Sequence, residues 1–186
     1  IADSEKLFEH VLGLGVKTGS ALDVGAGIGR ISESFLTRKF QHVDILEAAK
    51  NLIDKARDLL KGNPHMRTFY HTGIQNFKFE TKYDVVWIQW VVGSLKDSDF
   101  IDFLKNASDH LTDTGVIVLK DNAASESSGF IVDKTDSSIS RTIPYFKKIF
   151  EKAGLEVVFD ERFKEFPEEC IPVWKFILKP KDRPAH

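Results

Sequence analysis

The sequence predicts an α/β domain with seven strands in a mostly parallel sheet, helices on both faces, and a C-terminal antiparallel hairpin. Three observations predict it. Apolar runs of strand length alternate with stretches of helical period, the pattern of right-handed crossovers in a parallel sheet. One run, Tyr83-Asp84-Val85-Val86-Trp87-Ile88-Gln89-Trp90, is almost continuously apolar, as a strand buried on both faces requires. Three glycines, Gly25, Gly27 and Gly29, crowd the turn between the first strand and the helix after it, where a ligand can lie against bare main chain.

Taken in order, residues 3–13 place Leu7, Phe8, Val11 and Leu12 at helical spacing and stop at Gly13 and Gly15. A short apolar strand closes at Val24, and the glycine turn leads into an amphipathic helix over 28–40. Residues 40–47 read as a second strand closing on Glu47, and 48–60 as a crossover helix stopped by Gly62, Asn63 and Pro64. A third strand covers 66–70. The segment 71–77 follows at the edge where open α/β sheets bind ligands, so Ile74 and Gln75 are either an ordinary polar turn or contacts for an adenine. The 83–90 strand ends on Gln89 and Trp90, which suit a binding floor; the alternative is that both tryptophans are core, the reading preferred for Trp87.

Residues 98–111 form a helix burying Phe100, Ile101, Phe103, Leu104 and Leu111. A turn at 113–115 and a fifth strand at 116–119 precede Lys120-Asp121-Asn122, and 123–130 reads as a mobile polar loop. Asp133 and Asp136 stand three apart among hydroxyls. They either form an acidic site that holds an ammonium or takes its proton, or they cap the helix expected over 144–153. Strands at 155–159 and 172–178 make the hairpin. One domain spans 1–180, read as trimmed at its N-terminus because the chain opens on Ile1, and 181–186 is expected to be a disordered tail.

Composition limits the function classes. In 186 residues, 26 basic side chains balance 28 acidic ones for a net charge of −2, so no global field draws nucleic acid or anionic lipid. The lone Cys170 excludes an internal disulfide and favours a reducing compartment, and six scattered histidines offer no metal-ligand cluster. No apolar run reaches membrane-span length, and no signal-peptide pattern opens the chain. The expected partners therefore include neither nucleic acid nor membrane, and the oligomeric state stays open.

The glycine spacing fits neither G-x-G-x-x-G nor a P-loop, so phosphate chemistry is not favoured. Glu47, at the end of the neighbouring strand, stands where a carboxylate binds ribose hydroxyls. Together these describe an adenosine-type pocket without a phosphate site. The Asp23-x-Gly25-x-Gly27-x-Gly29 turn with its strand-end acid resembles the cofactor site of the Rossmann-like class I methyltransferases, which use S-adenosylmethionine. The alternative is a glycine-rich turn in another doubly wound domain.

The blocks Asp23-Val24-Gly25-Ala26-Gly27-Ile28-Gly29-Arg30, Trp87-Ile88-Gln89-Trp90, Lys120-Asp121-Asn122 and Asp136-Ser137-Ser138 together resemble the protein α-N-terminal methyltransferases, over about residues 20–179. The resemblance implies transfer of methyl groups to the free α-amino group of Xaa-Pro-Lys or Xaa-Pro-Arg termini, with S-adenosyl-L-homocysteine as product and a cytoplasmic or nuclear setting. It assigns Gly25, Gly27, Arg30, Glu47, Ile74, Gln75 and Gln89 to the cofactor. Trp90, Asn122, Asp133, Asp136 and Ser138 would take the peptide, with Asp136 as the base and Asn122 beside the reacting amine. No metal is implied. Two positions depart from the family: Gly93-Ser94-Leu95 replaces Gly-His-Leu, and Ile171 replaces an aromatic. The rival readings are a methyltransferase of a small amine and a cofactor-binding relative without catalysis.

Overall fold

The computed structural model describes residues 2–125, 130–135, 137–163 and 170–183. Strand β4 (Tyr83–Gln89) lies between β1 (Ser20–Val24) and β5 (Leu111–Ala124), parallel to both. Strands β2 (His42–Glu47) and β3 (Met66–His71) extend the parallel sheet on the β1 side. On the far side β9 (Val173–Pro180) runs antiparallel to β5, and β8 (Leu155–Arg162) antiparallel to β9, which gives the reversed hairpin.

The alternation of side chains along a strand divides the core. Val86 and Ile88 join one apolar cluster with Phe100, Phe103 and Leu104 of α4 (Asp97–Asp109) and Phe146, Ile149 and Phe150 of α5 (Ile143–Lys152). Val85 and Trp87 face the other way, onto Leu7, Phe8 and Val11 of α1 (Ala2–Gly13) and onto Phe35 and Phe40. Helices therefore cover both faces. Each fully buried aromatic contributes about 2 kcal/mol of hydrophobic stabilisation.

The described sheet has nine strands, not seven. The additional pair is β6 (Phe130–Asp133) and β7 (Ser138–Thr142), an antiparallel hairpin whose β7 pairs with Ala123 and Ala124 of β5. It occupies much of the span read as loop and acidic turn. Residues of β6 are exposed throughout, and β7 buries an arginine, so neither shows the alternation that marks a half-buried strand. Strand β5 also runs through the expected 113–115 turn. Gly115 allows this, because a Cβ there would meet the Tyr83 carbonyl at 2.6 Å.

The helix expected over 28–40 is irregular. A wide turn at Ser32–Leu36 is followed by the short α2 (Thr37–Lys39). Thr37 Oγ1 donates to the Ser32 carbonyl at 2.9 Å, five residues back, which loosens the regular ladder. The crossover helix α3 (Lys50–Leu59) is regular. At the C-terminus Arg183 donates to the Gly115 and Thr112 carbonyls, so the described part of the expected tail packs against the start of β5.

Candidate active site

Two cavities open at the carboxyl ends of the central strands. The first, of about 460 Å³, is lined by Gly25, Glu47, Ile74 and Gln75 among the expected cofactor residues. Glu47 is fixed by the chain around it: Oε2 accepts the Gly27 N–H and Oε1 the Ala49 N–H, each at 2.8 Å. Each oxygen keeps lone-pair capacity for a hydroxyl. Gly25 has a φ of 65°, and a Cβ there would come within 2.5 Å of a Val91 methyl. Beneath the turn the Ser32 hydroxyl donates to Asp23 at 2.7 Å. Burial pushes the Asp23 carboxyl up to about 6 against the pull of the Ser32 hydrogen bonds, and the Glu47 charge adds to the rise.

Not every expected cofactor residue faces this cavity. Gly27 contributes its N–H to Glu47, Arg30 is exposed, and the Gln89 carboxamide oxygen accepts the Trp87 indole N–H at 3.1 Å. None of the three belongs to the described lining. The residues that do line it fit an adenosine-type sulfonium cofactor. A carboxylate is available for a diol, Ile74 for a base, and bare backbone for close approach. Among the described residues the lining has only Lys96 as a basic group, so no cradle for a phosphate is built. The volume lies within the ordinary range for small-molecule sites.

The second cavity, of about 310 Å³, is lined by Trp90, Asn122 and Ser138, and by Asp121. Val91 and Ser94 line both cavities, so one short turn separates them. Trp90 is 53% exposed and has a φ of 51°, which costs about 1–2 kcal/mol for a non-glycine residue. Its indole N–H donates to Asn122 Oδ1 at 3.1 Å. Ser94 donates to the Val91 carbonyl at 2.9 Å.

Of the acidic pair, only Asp133 lies in the described residues. Asp133 is exposed at the end of β6, accepts the Thr135 N–H, and lies outside the described linings. Asp136 is outside the described residues. The alternative reading of the pair as helix caps is corrected: Thr142 caps α5, accepting the Tyr145 N–H at 3.3 Å, with Pro144 in the first turn.

Two residues without an expected role organise the second cavity. Asp121 accepts the Val92 N–H at 3.2 Å and the Asn122 N–H at 2.8 Å. Burial pushes its carboxyl up to about 6, although these bonds and Arg141 favour the charged form. Arg141, 1% exposed on β7, donates to the Val92 carbonyl at 2.9 Å and the Leu95 carbonyl at 2.7 Å, and pairs with Asp97 at 2.9 Å. Tyr145 donates its hydroxyl to the same Asp97. The β6–β7 hairpin is thereby clamped to the turn that divides the cavities. Neither role had a sign in the sequence, because Asp121 stands just past the expected fifth strand and Arg141 in a polar stretch.

A profile of the AdoMet-dependent proline di-methyltransferases matches residues 5–179. An alpha N-terminal protein methyltransferase 1 of Dictyostelium discoideum is 45% identical over 163 residues, covering 87% of this chain and 60% of that protein. The N-terminal Xaa-Pro-Lys N-methyltransferase 1 of Homo sapiens is 38% identical over 184 residues, covering 96% of this chain and 82% of the human one. Among solved structures, a SAM-dependent methyltransferase of Leishmania major superposes with a TM-score of 0.84 at 35% identity, covering 89% of this chain and 66% of that one. A glycopeptide N-methyltransferase in complex with S-adenosylmethionine superposes at 0.72 with 16% identity, over 95% and 87% of the two chains, a likeness of fold alone.

Proposed function

The chain belongs to the AdoMet-dependent proline di-methyltransferase family, and from that premise we propose that it methylates the free α-amino group of proteins that begin Xaa-Pro-Lys or Xaa-Pro-Arg. The observation that carries this reading is the pair of cavities meeting at Val91 and Ser94. An amine seated in one would be a neighbour of a methyl donor seated in the other, and proximity of that kind is a large part of what a group transfer needs.

In this reading Glu47 holds the ribose hydroxyls, Ile74 and Gln75 contact the adenine, and the Gly25 backbone lets the cofactor lie close to β1. When bound, S-adenosylmethionine supplies an electrophilic methyl group to the amine. Trp90 offers its half-exposed face to the second-position proline, and Asn122, held through the Trp90 indole, hydrogen-bonds the first residue. An α-amino group has an ordinary pKa of about 7.7–8.0 and is largely protonated at neutral pH, so its lone pair must be freed. Asp136, carried over from the Asp-Ser-Ser block, is proposed to accept that proton. Ser94 is not assigned this task, since its hydroxyl is committed to Val91 and is a poor base. Asp133 and Asp136 are proposed to attract the third-position cation.

The test is mass spectrometry of a Ser-Pro-Lys peptide and its N-acetylated twin after incubation with S-adenosylmethionine. The reading expects increments of one methyl on the free amine and none on the acetylated peptide. Equal gain on both would exclude the α-amine as acceptor.

A further inference from the structure

Lys120 of β5 and Lys175 of β9 are register partners, and both ammonium groups converge on Asp3 of α1, at 2.7 and 2.9 Å. Lys175 also reaches Glu161 of β8 at 2.7 Å. The two lysines are 5% and 4% exposed and Asp3 is enclosed with them, while Glu161 joins from a partly exposed position, so four elements meet in one array. Burial works to raise the Asp3 carboxyl, but the hydrogen bonds from Lys120 and Lys175 outweigh it and hold it below its usual value. Such arrays are an inefficient way to stabilise a fold, because desolvation offsets much of the attraction. Without Lys120, Asp3 would still keep one ammonium partner in Lys175, which it would share with Glu161.

Lys120 has a second engagement. Its ammonium lies 5.5 Å from the centre of the Trp90 ring and 5.1 Å from that of Phe163. Its carbonyl accepts the Trp90 N–H at 3.0 Å. Trp90 is thus held in left-handed backbone by three contacts from β5: the Lys120 carbonyl, the Lys120 ammonium beside its ring, and the Asn122 carboxamide on its indole N–H. A desolvated cation beside a tryptophan ring is attracted to it and favours a single ring orientation. The first cavity makes no use of this array, since none of its described lining belongs to it.

We infer that Lys120 is a positioning residue for peptide recognition: anchored by Asp3, its ammonium sets the Trp90 indole, so that docking of helix α1 is part of what builds the peptide cavity. This rests on the reading of Trp90 as the proline contact. It separates the two cavities in function, because loss of the anchor loosens the peptide site and leaves the cofactor site as it was.

The experiment compares Lys120→Met, Lys120→Arg and Asp3→Asn with the unmodified protein. Lys120→Met keeps the stem and leaves Asp3 paired with Lys175. Losing a desolvated cation–π contact of ordinary strength predicts about a tenfold rise in KM for a Ser-Pro-Lys peptide, with kcat changed by less than about threefold. Affinity for S-adenosylhomocysteine stays unchanged, Lys120→Arg restores most of the peptide affinity, and Asp3→Asn moves KM the same way by less. In the protein without cofactor or peptide, the Trp90 fluorescence, taken as the difference from a Trp90→Phe background, shifts in Lys120→Met and returns in Lys120→Arg. Unchanged Trp90 emission, or a parallel fall in cofactor and peptide affinity, would overturn the inference. The fluorescence needs no substrate, so a protein that methylates no Xaa-Pro-Lys peptide would refute the proposed function while Trp90 still reported on Lys120.

Discussion

Glu47 shows how much a single carboxylate does here. Two backbone N–H groups are aimed at it, so Glu47→Gln places an amide NH2 against a donor and leaves one N–H unpaired, at a cost of about 1–3 kcal/mol. The ribose hydroxyls would also lose a charged acceptor, worth about 1.5–3 kcal/mol, so titration calorimetry should find S-adenosylhomocysteine bound at least about tenfold more weakly by this variant, and unchanged affinity would remove Glu47 from the proposed cofactor site. Glu47 and the glycine turn were legible in the sequence because strand, turn and strand end are close along the chain. Asp121 and Arg141 were not. Arg141 acts on carbonyls 46 and 49 residues away, and no local pattern announces that contact.

At the scale of elements, the parallel strands and the terminal hairpin could be read from period and length, whereas β6 and β7 could not. A strand is legible when burial alternates, but β6 is exposed and β7 owes its place to a buried guanidinium. That guanidinium is what joins the hairpin to the dividing turn. Arg141→Ala would leave the Val92 and Leu95 carbonyls without their donor, and the expected destabilisation is about 3 kcal/mol. Hydrogen exchange should then accelerate at 91–97 and through β6–β7 before it does in β1 or β2. Uniform acceleration across the sheet would mean that Arg141 is not a local clamp.

At the scale of the whole molecule, two buried carboxyls shape the response to pH. Asp23 and Asp121 both titrate near 6 in the folded chain, above the ordinary aspartate value of 3.8. A raised folded pKa contributes stability that is fully present below the unfolded pKa and lost as pH rises through the folded one. Relative to Asp121→Asn, which does not titrate there, the unmodified protein should gain about 1 kcal/mol of unfolding free energy between pH 7.5 and 5. Denaturant unfolding of both proteins at the two pH values measures the difference, and a constant gap would place the Asp121 pKa at its ordinary value.

The central claim is that two cavities sharing Val91 and Ser94 bring a peptide α-amine to a methyl donor. Its most direct test is tandem mass spectrometry of a Ser-Pro-Lys-Arg peptide labelled with trideuteromethyl S-adenosylmethionine. All label in the fragment holding the first residue's α-nitrogen is the predicted result. Label on the lysine side chain, with the N-terminal fragment unlabelled, would contradict it.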